Sequence, residues 1–250
     1  MRVITLPALS DNYIFVLRQG DEAAVVDPGE AGPVLAYLAR EPARLTAILT
    51  THHHGDHVGG NRALCERFPG VVVVGSAEDR ARIPGLTRGL GDGDEVAVAG
   101  ITGRLLAVPG HTRGHVAYFF PAADGRGGDL FAGDTVFGGT IGNLFEGTPE
   151  VMFRSIEKIR ALPSGTRLWC AHEYTRQYVR EAAAIDPHNA RLAARLRALD
   201  AAPPGAPTVP LLLDEECATN PFFRWDAPDL TAHLGTAPGL ATFQRLCEIT

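Results

Sequence analysis

The alternation of apolar and polar positions along the chain gives the first structural signal. Residues 13–17 and 23–26 are short apolar runs on either side of Gln19-Gly20-Asp21, a spacing that predicts a β-hairpin. Residues 31–40 have helical character, and residues 45–50 read as a short apolar strand. A helix is expected over 59–68, stopped by Pro69-Gly70. The four consecutive valines at 71–74 predict a buried strand. Further strands are expected at 104–108, 116–120, 129–132 and 167–170. A helix opens at Thr148-Pro149-Glu150, with Thr148 as N-cap and Pro149 at the first helical position, and runs to about Leu162.

The texture changes after Cys170. Residues 174–185 and 187–199 are helical by pattern, as is the tail beyond Asp226. Between them, residues 201–210 hold four prolines and a glycine, a loop expected to cross from one helical element to the next. The expected organisation is a mixed α/β unit over residues 1–165 and a small helical unit over 166–250. Neither internal repeats nor low-complexity tracts interrupt it.

Composition narrows the function classes. A chain of 250 residues, 45% hydrophobic and 21% charged, is globular and large enough to bury a core without disulfide staples. With 23 basic against 29 acidic side chains the net charge is -6, which argues against a nucleic-acid partner. No apolar run approaches the ~18 residues of a membrane span, and Met1 to Pro7 lack the pattern of a signal peptide. A cytosolic protein is expected. The four cysteines (Cys65, Cys170, Cys217, Cys247) form no C-x-x-C pair, so they read as small buried hydrophobes in a reducing compartment.

The chemistry lies in the histidines. Thr51-His52-His53-His54-Gly55-Asp56-His57 directly follows an expected strand. His111 follows Val108-Pro109-Gly110, Asp134 follows Phe131-Ala132-Gly133, and His172 follows Trp169-Cys170-Ala171. Ligands in α/β folds gather at the carboxyl ends of strands, and Gly55 and Gly110 are expected to let the backbone turn beside these side chains. Imidazole and carboxylate together suit Zn²⁺, Fe or Mn. A single tetrahedral ion takes three or four ligands, and this set offers seven. His52 and His54 can face one way while His53 faces another. Asp56 and His57 are adjacent and diverge, which is natural for two ions. A carboxylate such as Asp134 can bridge ions about 3.5–4 Å apart. For His53, His188 and His233 a surface or satisfied core role is the expectation.

At this point the chain resembles a known family. Thr51-His52-x-His54-x-Asp56-His57, Gly110-His111-Thr112-x-Gly114-His115, Gly133-Asp134 and His172 resemble the signature of the metallo-β-lactamase superfamily. Within it the chain resembles the glyoxalase II (hydroxyacylglutathione hydrolase) family. That closer likeness rests on Asp11-Asn12-Tyr13, Gly133-Asp134-Thr135-Val136-Phe137, Phe145-Glu146-Gly147-Thr148-Pro149, His172-Glu173-Tyr174-Thr175 and Thr219-Asn220-Pro221-Phe222. The resemblance implies an α/β fold, an αββα sandwich followed by a helical domain that covers the active site. It implies one ion on His52, His54 and His111, a second on Asp56, His57 and His172, and Asp134 bridging. Two divalent ions are therefore expected, zinc first, with iron or manganese as alternatives. The implied substrate is a glutathione thioester, S-(2-hydroxyacyl)glutathione, cleaved in methylglyoxal detoxification. Asp56 and Asp134 are then the catalytic carboxylates, and Tyr174, Asn143 and Phe145 the substrate contacts, in a monomer.

Two further residues take outer roles in this reading. His115 falls outside the filled ligand set, in packing or in support of the ligands. Asp27, in Val26-Asp27-Pro28-Gly29, reads as a turn residue with a structural hydrogen bond. The chain also departs from the family, which places basic residues where Asn143, Cys247 and Thr250 stand here. A weak glutathione pocket is expected from that departure, unless Arg176 or Arg180 supplies the missing charge. The competing readings are a mononuclear-iron persulfide dioxygenase of the same superfamily, a hydrolase of another thiol's acyl ester, a nuclease and a non-enzymatic metal-binding module.

Overall fold

In a computed structural model that describes all 250 residues, two six-stranded sheets enclose one large apolar core. The first sheet runs in chain order. It holds β1 (Arg2–Ala8), β2 (Asn12–Gln19), β3 (Glu22–Val26), β4 (Arg44–Leu49), β5 (Val72–Ser76) and β6 (Arg88–Leu90). The first three strands pair antiparallel and the rest parallel. Helices α1 (Gly32–Arg40), α2 (Gly55–Val58) and α3 (Asn61–Arg67) connect its parallel part. Side chains alternate across the pleat of β2: Tyr13, Phe15 and Leu17 enter the core between the sheets. Ile14 and Val16 face outwards and cluster with Val34, Tyr37 and Leu38 of α1.

The second sheet begins with the meander β7 (Glu95–Val98), β8 (Ile101–Ala107), β9 (Val116–Pro121) and β10 (Gly128–Gly133). A two-stranded ribbon follows, β11 (Val136–Phe137) with β12 (Thr140–Ile141), and then α4 (Pro149–Arg160). Thr148 caps α4 as expected, its side chain accepting from the Val151 amide. β13 (Thr166–Cys170) then pairs parallel with β10. Helices α5 (Thr175–Ile185) and α6 (Ala190–Ala201) precede β14 (Leu211–Leu212), which pairs with β13. The chain ends with α7 (Leu213–Thr219), α8 (Pro228–Leu234) and α9 (Leu240–Ile249).

The αββα sandwich and the C-terminal helices match the expected fold class, with local differences. The sandwich continues past the expected boundary at 165, because β13 sits between β10 and β14 inside the second sheet. The proline-rich loop at 201–210 delivers β14 rather than a helix. The helix expected over 59–68 is α3, Asn61–Arg67, and a short unexpected helix, α2, precedes it from Gly55. The tail is likewise two helices, broken at Gly235 and Gly239, both with positive φ. β1, β6, β7, β11 and β12 were not anticipated. The carboxyl ends of β3, β4, β10 and β13 converge at one end of the sandwich, and the histidines collect there.

Candidate metal centre

Four separate segments build the site. The loop after β4 carries His52 and His54, and α2 carries Asp56 and His57. The β8–β9 turn supplies His111, Asp134 follows β10, and His172 follows β13. His54 Nδ1 lies 3.0 Å from His52 Nε2 and 3.1 Å from His111 Nε2. Bonds of 2.0–2.1 Å to a tetrahedral ion would set such nitrogens about 3.3 Å apart. Asp56 Oδ2 lies 3.3 Å from His57 Nε2 and 3.4 Å from His172 Nε2. Between the two sets, Asp134 Oδ2 is 3.4 Å from His57, 3.5 Å from His172, 3.6 Å from His111 and 4.0 Å from His52. His57 Nε2 and Asp134 Oδ1 are buried and make no hydrogen bond. Buried polar atoms left so are costly unless something else engages them, and both residues belong to a cluster of potential ligands, His52, His57 and Asp134. The residues fit a pair of divalent cations.

For His52, His57, His111 and His172 the other ring nitrogen fixes which way the ring points. Thr51 Oγ1 donates to Asp27 Oδ2 at 2.6 Å and sits 3.1 Å from His52 Nδ1, placing that ring's lone pair on Nε2. His57 Nδ1 donates to Asp27 Oδ2 at 3.1 Å and His172 Nδ1 to Asp11 Oδ1 at 2.7 Å. His111 Nδ1 donates to the Asn143 carbonyl at 2.8 Å, and Asn12 Nδ2 donates to Asp56 Oδ2 at 3.0 Å. His115 is buried outside the set, stacked 4.6 Å from His52, and its Nε2 accepts from the Asp134 amide at 3.1 Å. The outer role expected for it holds. Asp27 does more than shape a turn, since it orients His57 from 30 residues away. The sequence motif Asp11-Asn12-Tyr13 carries no sign of a role for Asp11 and Asn12, because only the β1–β2 corner brings them to His172 and Asp56.

Burial and charge act against each other here. Desolvation holds His52 and His115 well below the ordinary imidazole value and also lowers His54 and His111. Burial would lower His57 too, yet the Asp134 charge 3.4 Å away, the Nδ1 hydrogen bond to Asp27 and the Asp56 carboxylate at 3.3 Å raise it well above that value. His172 is pushed up to about 10, chiefly by hydrogen bonds with Asp134 and Asp56 overriding its burial. Despite burial, Asp134 is held well below the usual carboxylate range by His57 and His172. In the metal-free protein the surrounding carboxylates therefore favour the protonated forms of His57 and His172. A metal ion takes only neutral imidazole, so filling the site should release about two protons per chain, and affinity should rise with pH. Calorimetry in buffers of different ionisation enthalpy measures this; no proton release would contradict the electrostatics.

His53 turns away from the centre. Its Nδ1 is 3.2 Å from Asp79 and its Nε2 3.2 Å from Arg82. His53→Ala should accordingly leave activity within a few-fold of wild type in a steady-state assay, whereas a loss as deep as that of His54→Ala would contradict this orientation. His188 and His233 meet edge to face, 5.4 Å apart, in the helical part. Gly110 has φ +149° and a Cβ there would meet Met152 at 2.8 Å, so its turn does require glycine. Gly55 does not: it opens α2 with no positive φ and open space beside it.

The three expected substrate contacts border the centre. Tyr174 stacks on His172 at 4.8 Å, and Phe145 lies 5.1 Å from His111 and 5.7 Å from His54. Asn143 is exposed, and its backbone carbonyl is the part that reaches a histidine. These residues line a cavity of about 250 Å³ that opens over Asp134. A second cavity of about 230 Å³ adjoins it, and Ile141, Asn143 and Tyr178 wall both.

Fold and donor set together define a class: residues 9–172 match the model of the metallo-beta-lactamase superfamily. The solved structures agree on the fold. BLEG-1 B3 metallo-beta-lactamase superposes with TM-score 0.66 at 23% identity, covering 89% of this chain and 99% of its own. TTHA1623 in a di-iron-bound form superposes with TM-score 0.60 at 26% identity, covering 89% and 100%. Residues 173–249 match the hydroxyacylglutathione hydrolase C-terminus. A hydroxyacylglutathione hydrolase of Synechococcus sp. (strain JA-2-3B'a(2-13)) is 53% identical over 249 residues, 98% of this chain and 97% of its own. The chain belongs to the hydroxyacylglutathione hydrolase family.

Proposed function

We propose that this protein hydrolyses S-(2-hydroxyacyl)glutathione thioesters, S-lactoylglutathione among them, to a 2-hydroxy acid and glutathione, the chemistry of methylglyoxal detoxification. The observation that carries the reading is Asp134, one carboxylate oxygen lying within 3.6 Å of His57, His172 and His111. In this reading His52, His54 and His111 hold one divalent ion, and Asp56, His57 and His172 hold another, with Asp134 shared and zinc the first expectation. When bound, such a pair lowers the pKa of water towards neutrality and polarises an acyl carbonyl.

The chain's own residues do the rest. Asp56, with its side chain partly open to the cavity, holds the attacking water by a hydrogen bond and orients it towards the carbonyl. Asn12 keeps that carboxylate in place. Phe145 and Tyr174 form apolar walls on either side of the donor atoms and exclude bulk water from the acyl group. A thiol has a pKa near 8.5, so the carrier leaves as thiolate without a strong general acid. The residues place no lysine or protonated carboxyl there to act as one. No helix is long and apolar enough to cross a membrane. The cysteines are free, and a monomer in a reducing, cytosolic compartment completes the proposal.

Release of free thiol from S-lactoylglutathione by the metal-loaded protein tests the reading directly. Oxygen consumption with glutathione persulfide, in place of thiol release, would return the mononuclear-iron alternative. A dioxygenase of that kind needs only two histidines and one aspartate, and leaves the second donor set unexplained.

A further inference from the structure

We infer that the hydrolase recognises its thiol carrier without a cationic clamp, through neutral hydrogen-bonding and apolar contacts in the cavity beside the metal centre. This rests on the proposed thioester hydrolysis, and concerns which features of the carrier the site reads. The scissile carbonyl must lie over Asp134, so the carrier arm leaves across Asn143 and Tyr178 into the adjoining cavity of about 230 Å³. None of the residues lining either cavity is lysine or arginine, and Glu181 is the one charged side chain in the second. Glutathione brings two carboxylates and one ammonium to this place. The carboxylates meet no cation there, and Glu181 opposes them.

The helices show why no arginine stands in. On α5, Tyr178, Glu181, Ala182 and Ile185 share the face turned to the cavity, at helical spacing. Arg176 and Arg180 are each two positions from Tyr178 and leave the opposite side. Arg176 donates to the carbonyls of Leu199 and Pro203, and Arg180 to Asp200 at 2.7 Å. The expectation that either supplies the missing charge therefore fails. The same geometry recurs on α9. Cys247 and Thr250 face the cavity, while Arg245 turns away to Glu248 at 3.0 Å. Burial pushes the Cys247 thiol up to about 11, so it is neutral at pH 7 and adds no charge of its own.

A matched pair of ligands isolates this effect. S-lactoylglutathione and its diethyl ester share a backbone and differ in carboxylate charge. The neutral cradle predicts kcat/KM for the diester equal to or above that of the free acid, and a KM for the free acid that changes less than about twofold as salt screens charge. A cationic clamp would instead make the diester roughly tenfold or more worse, with KM climbing steeply with salt. Thr250→Lys, at an exposed position on the cavity rim, should lower KM for the free acid several-fold relative to the diester, so that the ratio of the two KM values shifts towards the free acid. Calorimetric affinities of S-methylglutathione and its diethyl ester give the same comparison without turnover; a free acid that binds tenfold tighter overturns the inference. Failure of the wild type to hydrolyse either thioester would overturn the hydrolase reading itself, a result distinct from carboxylate-dependent turnover.

Discussion

Replacing Asp134 with alanine is expected to abolish thioester hydrolysis and to release at least one of the two ions. The side chain is 9% exposed, and one of its oxygens faces histidines of both donor sets. Removing it deprives both sets of their shared ligand. The loss should reach the order of a thousandfold in kcat or more, as expected when a preorganised charge at the reacting centre disappears. Stability should fall as well, because His57 is left charged and buried without its strongest partner, a change that costs about 3–5 kcal/mol for a buried pair. Asp134→Asn keeps the volume and separates the two effects, restoring part of the stability but none of the bridging. Elemental analysis and turnover measured on one preparation decide the matter. Retention of both ions with wild-type turnover would remove the bridging assignment.

Asp27→Ala should produce the second-largest effect, although Asp27 touches no reacting atom. Its carboxylate accepts from the Thr51 amide at 2.8 Å, from Thr51 Oγ1 at 2.6 Å and from His57 Nδ1 at 3.1 Å. Alanine leaves three buried donors unsatisfied, each costing about 1–3 kcal/mol, and frees the His57 ring to rotate. Metal affinity should drop roughly 10- to 100-fold, the usual consequence of removing the partner that orients a ligating imidazole. The φ of +49° adds strain for alanine that asparagine tolerates better. Asp27→Asn should therefore recover stability while still weakening the ion, since an amide nitrogen cannot accept from both Thr51 Oγ1 and His57. Chelator competition together with urea unfolding measures both quantities. Unchanged metal affinity in the two variants would show that His57 is held by other means.

The contrast between these two aspartates shows how far the sequence could be read. The donor cluster was legible because four donors lie within six residues, and because His111, Asp134 and His172 each follow an apolar run. Asp27, Asp11 and Asn12 were legible as residues but not as supports, since nothing local links Asp11 to His172 across 161 positions. Only the pairing of β2 with its neighbours and the bridge from Asn12 to His172 closes that distance. Alternation also identified residues 167–170 as a strand without saying which sheet it joins. That is decided by its parallel register with β10, and it moved the end of the sandwich beyond 165. The missed strands β6, β11 and β12 have two or three residues each, too few to show a period. Gly55 was misjudged for a different reason: a glycine beside ligands suggests a forced turn, yet here it merely starts a helix.

The most direct test is to strip the wild-type protein of metal with a chelator and add zinc back stepwise, following thiol release from S-lactoylglutathione. A binuclear thioester hydrolase predicts no activity without metal and a rise that is complete at two ions per chain. A protein holding two ions per chain that releases no thiol would contradict it.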